Sequence, residues 1–374
     1  MRITYKFRLY PSKEQEQKLL EVLEKCRFVY NKLLEKLEQD KPSRLELQNS
    51  IPKLKEEHQE LKEVYSKVLQ YESYRLFSNL RALARLKKNG RKVGRLRFKG
   101  KSWFKTIHFN QSGFKLIKTG KRCERLHLSK IGDIKIRIHR KIKGKIKQVI
   151  IKRYSSGKWY ACIQVENNVQ AENAKNKLIE KKVGIDVGIK HFLTDSDGLQ
   201  IENPKYLDKS YKRLRIEHRK LSRKEKESKN REKQRIRLSI VYERVVNQRL
   251  DFLHKLSRYY VDNYDFIAVE ELDIKNMVRS YLAKWISDVS WNRFIQFLSY
   301  KAENAGKIVV KVNPRGTSKE YKFGKLDKDY NASLNILVRG LDKVGMGQAE
   351  FTPLETEPLP VRASSVVELG SSFR

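Results

Sequence analysis

The sequence has few of the features that mark secreted or membrane proteins. Three cysteines, Cys26, Cys123 and Cys162, are too few and too scattered for a disulfide framework. No apolar run approaches the roughly 20 residues that span a bilayer, and Met1 to Tyr10 lacks the continuous apolar segment of a secretion signal. We therefore expect a cytoplasmic protein without a membrane partner.

Acidic residues are scarce beside basic ones. Lys and Arg total 83 against 44 Asp and Glu, a formal net charge of +39 at pH 7. A surface so charged repels itself, and a polyanion relieves the repulsion because each basic contact with phosphate releases a counterion. The 374 residues, 39% of them hydrophobic, suffice for two or three packed domains. The composition indicates a nucleic-acid-binding protein rather than an enzyme for a small neutral substrate.

The beginning of the chain predicts a strand followed by a helix. Residues 3–9 alternate between apolar and polar side chains, which is typical of a half-buried strand. Ser12 and Gln15 then form a predicted capping box, and apolar residues recur at mostly helical spacing from Leu19 to Leu37.

A second helical stretch is predicted from about Leu45 through Leu86. From Arg95 to Val165 the period changes to two, which predicts an antiparallel barrel or sheet that the first strand joins, with the helices inserted between. The polar residues 167–177 are typical of a linker. The tail after Gly345 carries three prolines with several Ser and Glu, which favours disorder.

The last part of the chain predicts an α/β domain. Three strands in a meander are followed by helix, strand, helix, strand and helix, the order of a ribonuclease H-like fold. The predicted elements are Val183–Gly188, Phe192–Ser196, a strand near Leu199, a very basic helical region from Tyr206 to Tyr260, Phe266–Val269, Trp285–Ala305, Lys307–Val312 and Asp329–Arg339.

Three acidic residues occupy informative places in that order. Asp186 lies inside an apolar strand, Glu270 ends another, and Asp329 begins the last helix. Burying these carboxylates together is costly unless cations offset their charge. Each acid alone could be paired with a Lys or Arg, and Glu271 and Asp327 are close rivals for two of the positions.

Such a cluster predicts a phosphodiesterase centre. Two Mg²⁺ ions about 4 Å apart would be held by Asp186, Glu270 and Asp329, with Mn²⁺ as a possible substitute, since hard oxygen ligands suit these ions. The same three residues are thus the predicted catalytic and metal-binding set.

Cationic stretches predict the nucleic-acid contacts. Residues 95–104 mix cations with aromatic rings, which suits phosphate contact with base stacking, although a barrel strand with its aromatics in the core explains them equally well. The basic helical region is a stronger candidate, although a charge run is usually a solvated face. Residues beside the predicted acids contact phosphate or stabilise the turn there. The candidates are Arg97, Lys99, Lys101, Trp103, Phe104, Lys212, Arg213, Arg215, Arg219, Lys220, Arg223, Arg315, Thr317 and Ser318.

Several ordered motifs resemble the TnpB family of transposon-encoded proteins, the OrfB type related to type V CRISPR effectors. Residues 184–188, 269–272 and 327–332 look like its three RuvC motifs. Residues 312–318 and 94–99 also fit the family pattern, so the resemblance covers nearly the whole chain.

The resemblance implies an α+β multidomain protein. Residues 1–10 and 91–166 would form a wedge-type antiparallel β-barrel, residues 11–90 a helical recognition insert, residues 167–180 a linker, residues 181–344 a ribonuclease H-like (RuvC) nuclease domain and residues 345–374 a disordered tail. It also implies a guide RNA from the transposon end, a target DNA, and one chain rather than two on each RNA, in the nucleoid of a prokaryote.

One departure from the family concerns zinc. Members usually carry a four-cysteine zinc finger before the third RuvC motif, whereas residues 318–327 contain no cysteine. The cysteines elsewhere supply no paired ligands, so we expect no structural zinc.

Two main functional hypotheses follow. The leading one is an RNA-guided DNA endonuclease that uses two-metal hydrolysis. The alternative is an RNA-guided DNA-binding repressor or transposition regulator, which the shortened loop favours and the intact acids oppose. A weaker third reading is a general RNA-binding or structural protein whose acids are ion-paired.

Overall fold

The computed structural model divides the chain into two compact units, residues 1–168 and 169–374. The structure describes residues 2–110, 112–118, 124–166, 179–272, 290–317 and 327–346, and the backbone of 359–361. The predicted linker, Ser318 and the stretch that lacks the zinc-finger cysteines therefore lie outside the described residues.

The first unit contains a seven-stranded antiparallel sheet. Its order is β2-β6-β7-β1-β5-β4-β3, and β1 pairs with both β5 and β7, so the prediction that the first strand joins the sheet is confirmed. Over the described residues the edge strands β2 and β3 do not pair with each other, so the ladder is open rather than a closed barrel. The strands are β1 (Arg2–Tyr10), β2 (Thr106–Asn110), β3 (Phe114–Lys118), β4 (Glu124–Leu128), β5 (Gly132–Arg137), β6 (Lys145–Arg153) and β7 (Trp159–Glu166).

Helices lie between the first and second strands. The capping box at the start of α1 is present, with the Gln15 amide donating to Ser12 Oγ and the Ser12 amide donating to the Gln15 side chain. The stretch predicted to be helical over about 45–86 is helical, but it divides into four segments. The Ser43 capping box starts the first of them, and Pro52 lies in the first turn of the second. The helices are α1 (Lys13–Asp40), α2 (Arg44–Asn49), α3 (Ile51–Glu57), a 3-10 helix (Gln59–Glu63) and α4 (Ser66–Lys88).

The antiparallel strands predicted from Arg95 to Val165 are present but begin only at Thr106, so the prediction is wrong for residues 95–105. The backbone of residues 95–105 is not paired with a neighbouring strand at these contacts. It is hydrogen-bonded by side chains of α1 instead. Asn31 accepts from the Lys99 amide at 2.8 Å and donates to its carbonyl at 3.0 Å. Glu24 accepts from the Ser102 amide at 2.7 Å. These contacts satisfy backbone groups that a strand would have paired in a ladder.

The second unit contains a mixed sheet in the order β12-β11-β8-β9-β10-β13. Strands β8, β11 and β12 are parallel, and β8, β9 and β10 form an antiparallel meander. The elements are β8 (Lys182–Asp186), β9 (His191–Asp195), β10 (Leu199–Glu202), α5 (Tyr206–Ser222), α6 (Lys229–Asn263), β11 (Phe266–Glu270), α7 (Trp291–Ala305), β12 (Ile308–Val312), α8 (Lys328–Lys343) and β13 (Leu359–Val361). No helix among the described residues is long and apolar enough to cross a membrane.

Two expectations for this unit need correction, and a third concerns residues that are described only in part. The basic helical region is two helices, because Ser228 caps a new helix by accepting from the Arg231 amide at 3.1 Å. Helix α7 is described from Trp291, and residues 285–289 of its predicted start lie outside the described residues. Part of the tail predicted to be disordered forms a strand, since Leu359–Val361 pairs in parallel with β10.

The second sheet has helices on both faces. Val183, Ile185, Ile267 and Val269 are buried in one cluster with residues of α6 and α7. Alternate residues of the same strands face α8, and among them Phe266 and Ala268 pack in a second cluster with Ile336 and Leu337. Because both faces are covered, β11 is apolar along its whole length up to Glu270.

Gly184 lets α8 lie directly on β8. A Cβ atom at this position would come within 2.1 Å of the Ser333 carbonyl oxygen and 2.7 Å of the Leu337 amide nitrogen. Both atoms belong to the helix backbone and cannot rotate away. The absent side chain therefore sets the distance between β8 and the helix that carries Asp329.

We predict that Gly184→Ala destabilises the second unit by about 3 kcal/mol, the upper part of the usual range for overpacking, because the clash is with backbone that forces the helix off the sheet. The free energy of unfolding from urea titration measures this effect. Gly94→Ala is a suitable control, since a Cβ there meets nothing within 4 Å. A cost for Gly184→Ala no greater than that of the control would contradict this account of the packing.

Candidate carboxylate site

The fold brings the three predicted acids to one edge and one face of the second sheet. Asp186 and Glu270 are the last residues of the parallel neighbours β8 and β11. Ile185 pairs with Val269, so the two acids are the next residues in register. Asp329 lies in the first turn of α8. Because Asp186 alternates with Ile185, it faces α8 as Gly184 does.

The electrostatics of Asp186 show that the acids interact. The pKa of Asp186 is raised from 3.8 to about 7, chiefly by burial and also by the negative charges of Glu270 and Asp329. The Val187 amide and the Lys328 ammonium oppose this pKa shift only in part. Carboxylates that repel one another at neutral pH are a feature of sites that hold cations or share protons.

Glu270 is buried and accepts a hydrogen bond from a buried threonine. It is 7% exposed, and burial raises its pKa, while the Thr317 hydroxyl and the Arg339 guanidinium lower it. Thr317 Oγ1 donates a hydrogen bond to Glu270 Oε1. Neither Arg339 nor this hydrogen bond was found from the sequence, because residues on β11, α8 and the turn after β12 meet only in the folded chain.

The two rival acids, Asp327 and Glu271, make different contacts. Asp327 accepts from the amides of Asp329 and Tyr330, both at 3.1 Å, and so serves as the N-cap of α8. Glu271 is exposed, and its amide donates to the Val312 carbonyl at 2.9 Å. The charges that raise the pKa of Asp186 are those of Glu270 and Asp329.

A nearby buried acid shows what a structural carboxylate looks like in this fold. Asp195 Oδ1 accepts from the amides of Asp197 and Leu199 at 3.0 and 2.9 Å, and Oδ2 accepts from the Tyr260 hydroxyl at 2.8 Å. Burial still raises its pKa to about 6. These hydrogen bonds fix the turn between β9 and β10 and tie it to α6. The sequence contains a signal for this role, because an Asp shortly before Asp-Gly is typical of a turn.

The three acids fit a divalent cation in the kind of ligand they offer. Their oxygens are hard donors, and a cation would offset the repulsion that raises the pKa of Asp186. Across the part of the chain that the structure describes, however, no three His, Cys, Asp or Glu side chains are already grouped closely enough to hold a metal ion. Metal binding therefore requires the carboxylates to draw closer than they stand here.

The segment before β2 exposes one of its adjacent aromatic rings, Trp103, and buries the other, Phe104. Trp103 is 64% exposed, and Lys99 Nζ lies 5.3 Å from the centre of its ring. Phe104 is 6% exposed and lies under the Arg75 guanidinium, 4.3 Å from its ring centre, in edge contact with Tyr30. Phe104 thus matches the core alternative, whereas Trp103 with its neighbouring cations remains a candidate for base stacking.

The remaining candidate contacts differ in their exposure. Thr317 is 1% exposed, and its hydroxyl donates to Glu270, so this hydroxyl is not open to a phosphate contact here. Ser318 lies outside the described residues. Exposed cations are found in the segment before β2, on α5 and its C-cap, and in the turn after β12: Arg97, Lys101, Lys212, Arg213, Arg215, Arg219, Lys220, Arg223 and Arg315.

The pKa of Asp186 predicts how stability depends on pH. The folded protein keeps a proton between the ordinary value of 3.8 and about 7, so the free energy of unfolding falls as pH rises through that window. In metal-free buffer we expect Asp186→Asn to stabilise the protein at about pH 8, by at most about 4 kcal/mol, and to change little at about pH 4. Thermal melts at both pH values test this, with exposed Glu271→Gln as the control; a lower melting temperature for Asp186→Asn at the higher pH would contradict it.

Three family models match parts of the chain. The OrfB model of IS605 type, described as "Probable transposase", matches residues 162–281. A model described as "Helix-turn-helix domain" matches residues 1–40, where the structure has one strand and one long helix. A model described as "Cas12f1-like, TNB domain" matches residues 291–336, which include Thr317 and Asp329.

Whole-chain relatives agree with these models. A Streptomyces pristinaespiralis protein described as "Putative RNA-guided DNA endonuclease" is 30% identical over 370 residues, covering 90% of this chain and 89% of the relative. An Escherichia coli K12 protein, "Putative RNA-guided DNA endonuclease InsQ", is 27% identical, and the match covers 95% of this chain and 96% of the relative. The fold is similar to that of a chain in a Cas12f1 complex with guide RNA and target DNA, with a TM-score of 0.54 at 14% identity, covering 87% of this chain and 83% of that one. The chain belongs to the TnpB family, the transposon-encoded proteins of OrfB type that are related to type V CRISPR effectors.

Proposed function

We propose that this protein is an RNA-guided DNA endonuclease that cuts with Asp186, Glu270 and Asp329. The observation that carries the proposal is the raised pKa of Asp186, because it reports two further carboxylates acting on a buried one at a strand end. An acid kept only for structure would be surrounded by donors, as Asp195 is.

The arrangement of the second unit supports a ribonuclease H-like nuclease. An antiparallel meander of β8, β9 and β10 is extended on the β8 side by the parallel strands β11 and β12. Helix α8 packs on the sheet and brings Asp329 to the ends of the two central parallel strands. In α/β sheets, ligands bind beyond the carboxyl ends of such strands.

The three acids would hold two divalent ions, Mg²⁺ or Mn²⁺ in its place. When bound, such ions lower the pKa of an attacking water and stabilise the leaving oxygen of a phosphodiester. The chain itself supplies the charge and the positions. Asp186 lies at the end of β8 on the face that α8 covers, and Glu270 accepts a hydrogen bond from Thr317. Asp327, as the N-cap of α8, fixes the first turn of the helix, which contains Asp329. With a raised pKa, Asp186 must lose its proton before it can act as a ligand.

Nucleic-acid binding is supported by charge and by exposed side chains. The net charge of +39 needs a polyanion, and the exposed cations of α5 offer phosphate contacts. Exposed Trp103 beside Lys99 offers a ring on which a base can stack. The relatives' descriptions support a guide RNA and a target DNA as the two ligands. We propose a guide from the transposon end, bound by one chain.

A second candidate is an RNA-guided DNA-binding protein that represses or regulates without cutting. It is favoured by the observation that the described acids do not stand as a ready metal-binding group. Such a protein would keep the fold and the basic surfaces, and its carboxylates would never close around a cation. The two candidates differ only in whether bound DNA is hydrolysed.

Sequencing the RNA that co-purifies with the protein, followed by a cleavage assay on matched DNA, tests the proposal. We expect one defined transcript with a variable end, and Mg²⁺-dependent cutting of matched DNA only. Asp186→Ala should reduce cutting by at least about 1000-fold, since single catalytic groups contribute on that order, and leave RNA binding intact. Glu271→Gln, an exposed neighbouring acid, is the matched control. Tight binding of matched DNA without cutting would favour the second candidate, and a random RNA mixture would contradict both.

A further inference from the structure

The hydroxyl of Thr317 is placed to control Glu270. Thr317 is 1% exposed and follows β12, 47 residues after the glutamate to which its Oγ1 donates. Glu270 is 7% exposed, so solvent has little part in orienting its carboxylate. A charged acceptor of this kind makes the stronger hydrogen bonds found in proteins.

The turn that contains Thr317 is fastened to α8. Asn335 Nδ2 donates to the Thr317 carbonyl at 2.8 Å. One turn further along the helix, Arg339 Nη1 donates to the carbonyls of Arg315 and Asn313 at 2.7 and 3.3 Å. The helix that carries Asp329 in its first turn therefore also anchors the turn that reaches Glu270.

This arrangement links two of the three acids through one helix. Asp329 lies at the start of α8, and the hydrogen bond from Asn335 to the Thr317 carbonyl holds the backbone of Thr317 on the same helix. A hydrogen bond to Oε1 leaves Oε2 of Glu270 as the oxygen without this restraint. Partners of this kind, which bind a ligand side chain rather than the ion, orient metal sites and change their affinity when removed.

The competing explanation is that Thr317 only closes the turn. Its hydroxyl also lies 3.0 Å from the Pro314 carbonyl, within reach of a local bond. A hydroxyl has one hydrogen to donate, and an anionic carboxylate is a better acceptor than a neutral carbonyl. Geometry alone allows both acceptors, so the two roles are separated by what happens to metal affinity when the hydroxyl is removed.

We propose that Thr317 is a positioning residue that sets the Glu270 carboxylate for divalent metal binding, an inference that rests on the proposed function. Without the hydroxyl, Glu270 would keep its place in the sheet and lose its fixed orientation. The loss would appear as weaker metal binding, and slower cutting would follow from it.

Two substitutions isolate the hydroxyl. Thr317→Val keeps the shape and removes the donor, whereas Thr317→Ser keeps the donor and removes a methyl group. In the RNA-bound protein we expect Thr317→Val to weaken Mn²⁺ binding by roughly 10-fold or more. Titration monitored by electron paramagnetic resonance measures this affinity. Thr317→Ser should bind Mn²⁺ within about 3-fold of the unchanged protein, and metal-free melts report any loss of folding separately. Thr317→Ala gives the same reading should the Val variant not fold.

Each outcome decides between the roles. Unchanged Mn²⁺ affinity in Thr317→Val would overturn the inference and leave the proposed function standing. Equal losses in Thr317→Val and Thr317→Ser would also overturn it, because packing rather than the hydroxyl would be responsible. Absence of Mn²⁺ binding by the unchanged protein would defeat the proposed function itself, and this inference with it.

Discussion

The burial of Asp186 near two further carboxylates is the constraint on which the arrangement around it depends. A buried Asp186 whose pKa reaches about 7 is an unfavourable feature at neutral pH, since burial and two like charges act together against its ionised form. The fold keeps the three acids near one another even so. The absence of a side chain at Gly184 lets α8 approach β8. Thr317 binds the Glu270 carboxylate, and Asp327 caps the first turn of α8. A divalent cation is the simplest partner that turns this arrangement into a favourable one.

The two units differ in what their polar side-chain contacts stabilise. In the second unit, these contacts stabilise the acid site and the turn at Asp195 between β9 and β10. In the first unit, side chains of α1 hold an irregular segment in place, because Asn31 and Glu24 bind its backbone and leave Trp103 exposed. A rigid segment that presents a large exposed ring beside cations is suited to nucleic acid, since little conformational entropy is lost on binding.

Much of the fold could be predicted because its signals are local. Alternation marked β1, the Ser12–Gln15 pair marked the start of α1, and apolar runs marked β8 and β11. Partners distant in the sequence could not be found in this way. The segment from Arg95 resembles a strand in composition but is bound by α1, and β13 pairs with β10 across more than 150 residues. Among the site residues, the acids were accessible from the sequence because an acid at the end of an apolar strand is unusual, whereas Thr317 and Arg339 act through tertiary contacts.

The central claim is that Asp186, Glu270 and Asp329 together bind divalent metal. Anomalous diffraction from crystals of the RNA-bound protein soaked in Mn²⁺ tests it most directly. We expect two anomalous peaks about 4 Å apart, with oxygens of the three side chains about 2 Å from one or both of them, the distance typical of small divalent ions and carboxylate oxygens. A map with no peak there, or with the Lys328 or Arg339 side chain filling the space between the acids, would contradict the account.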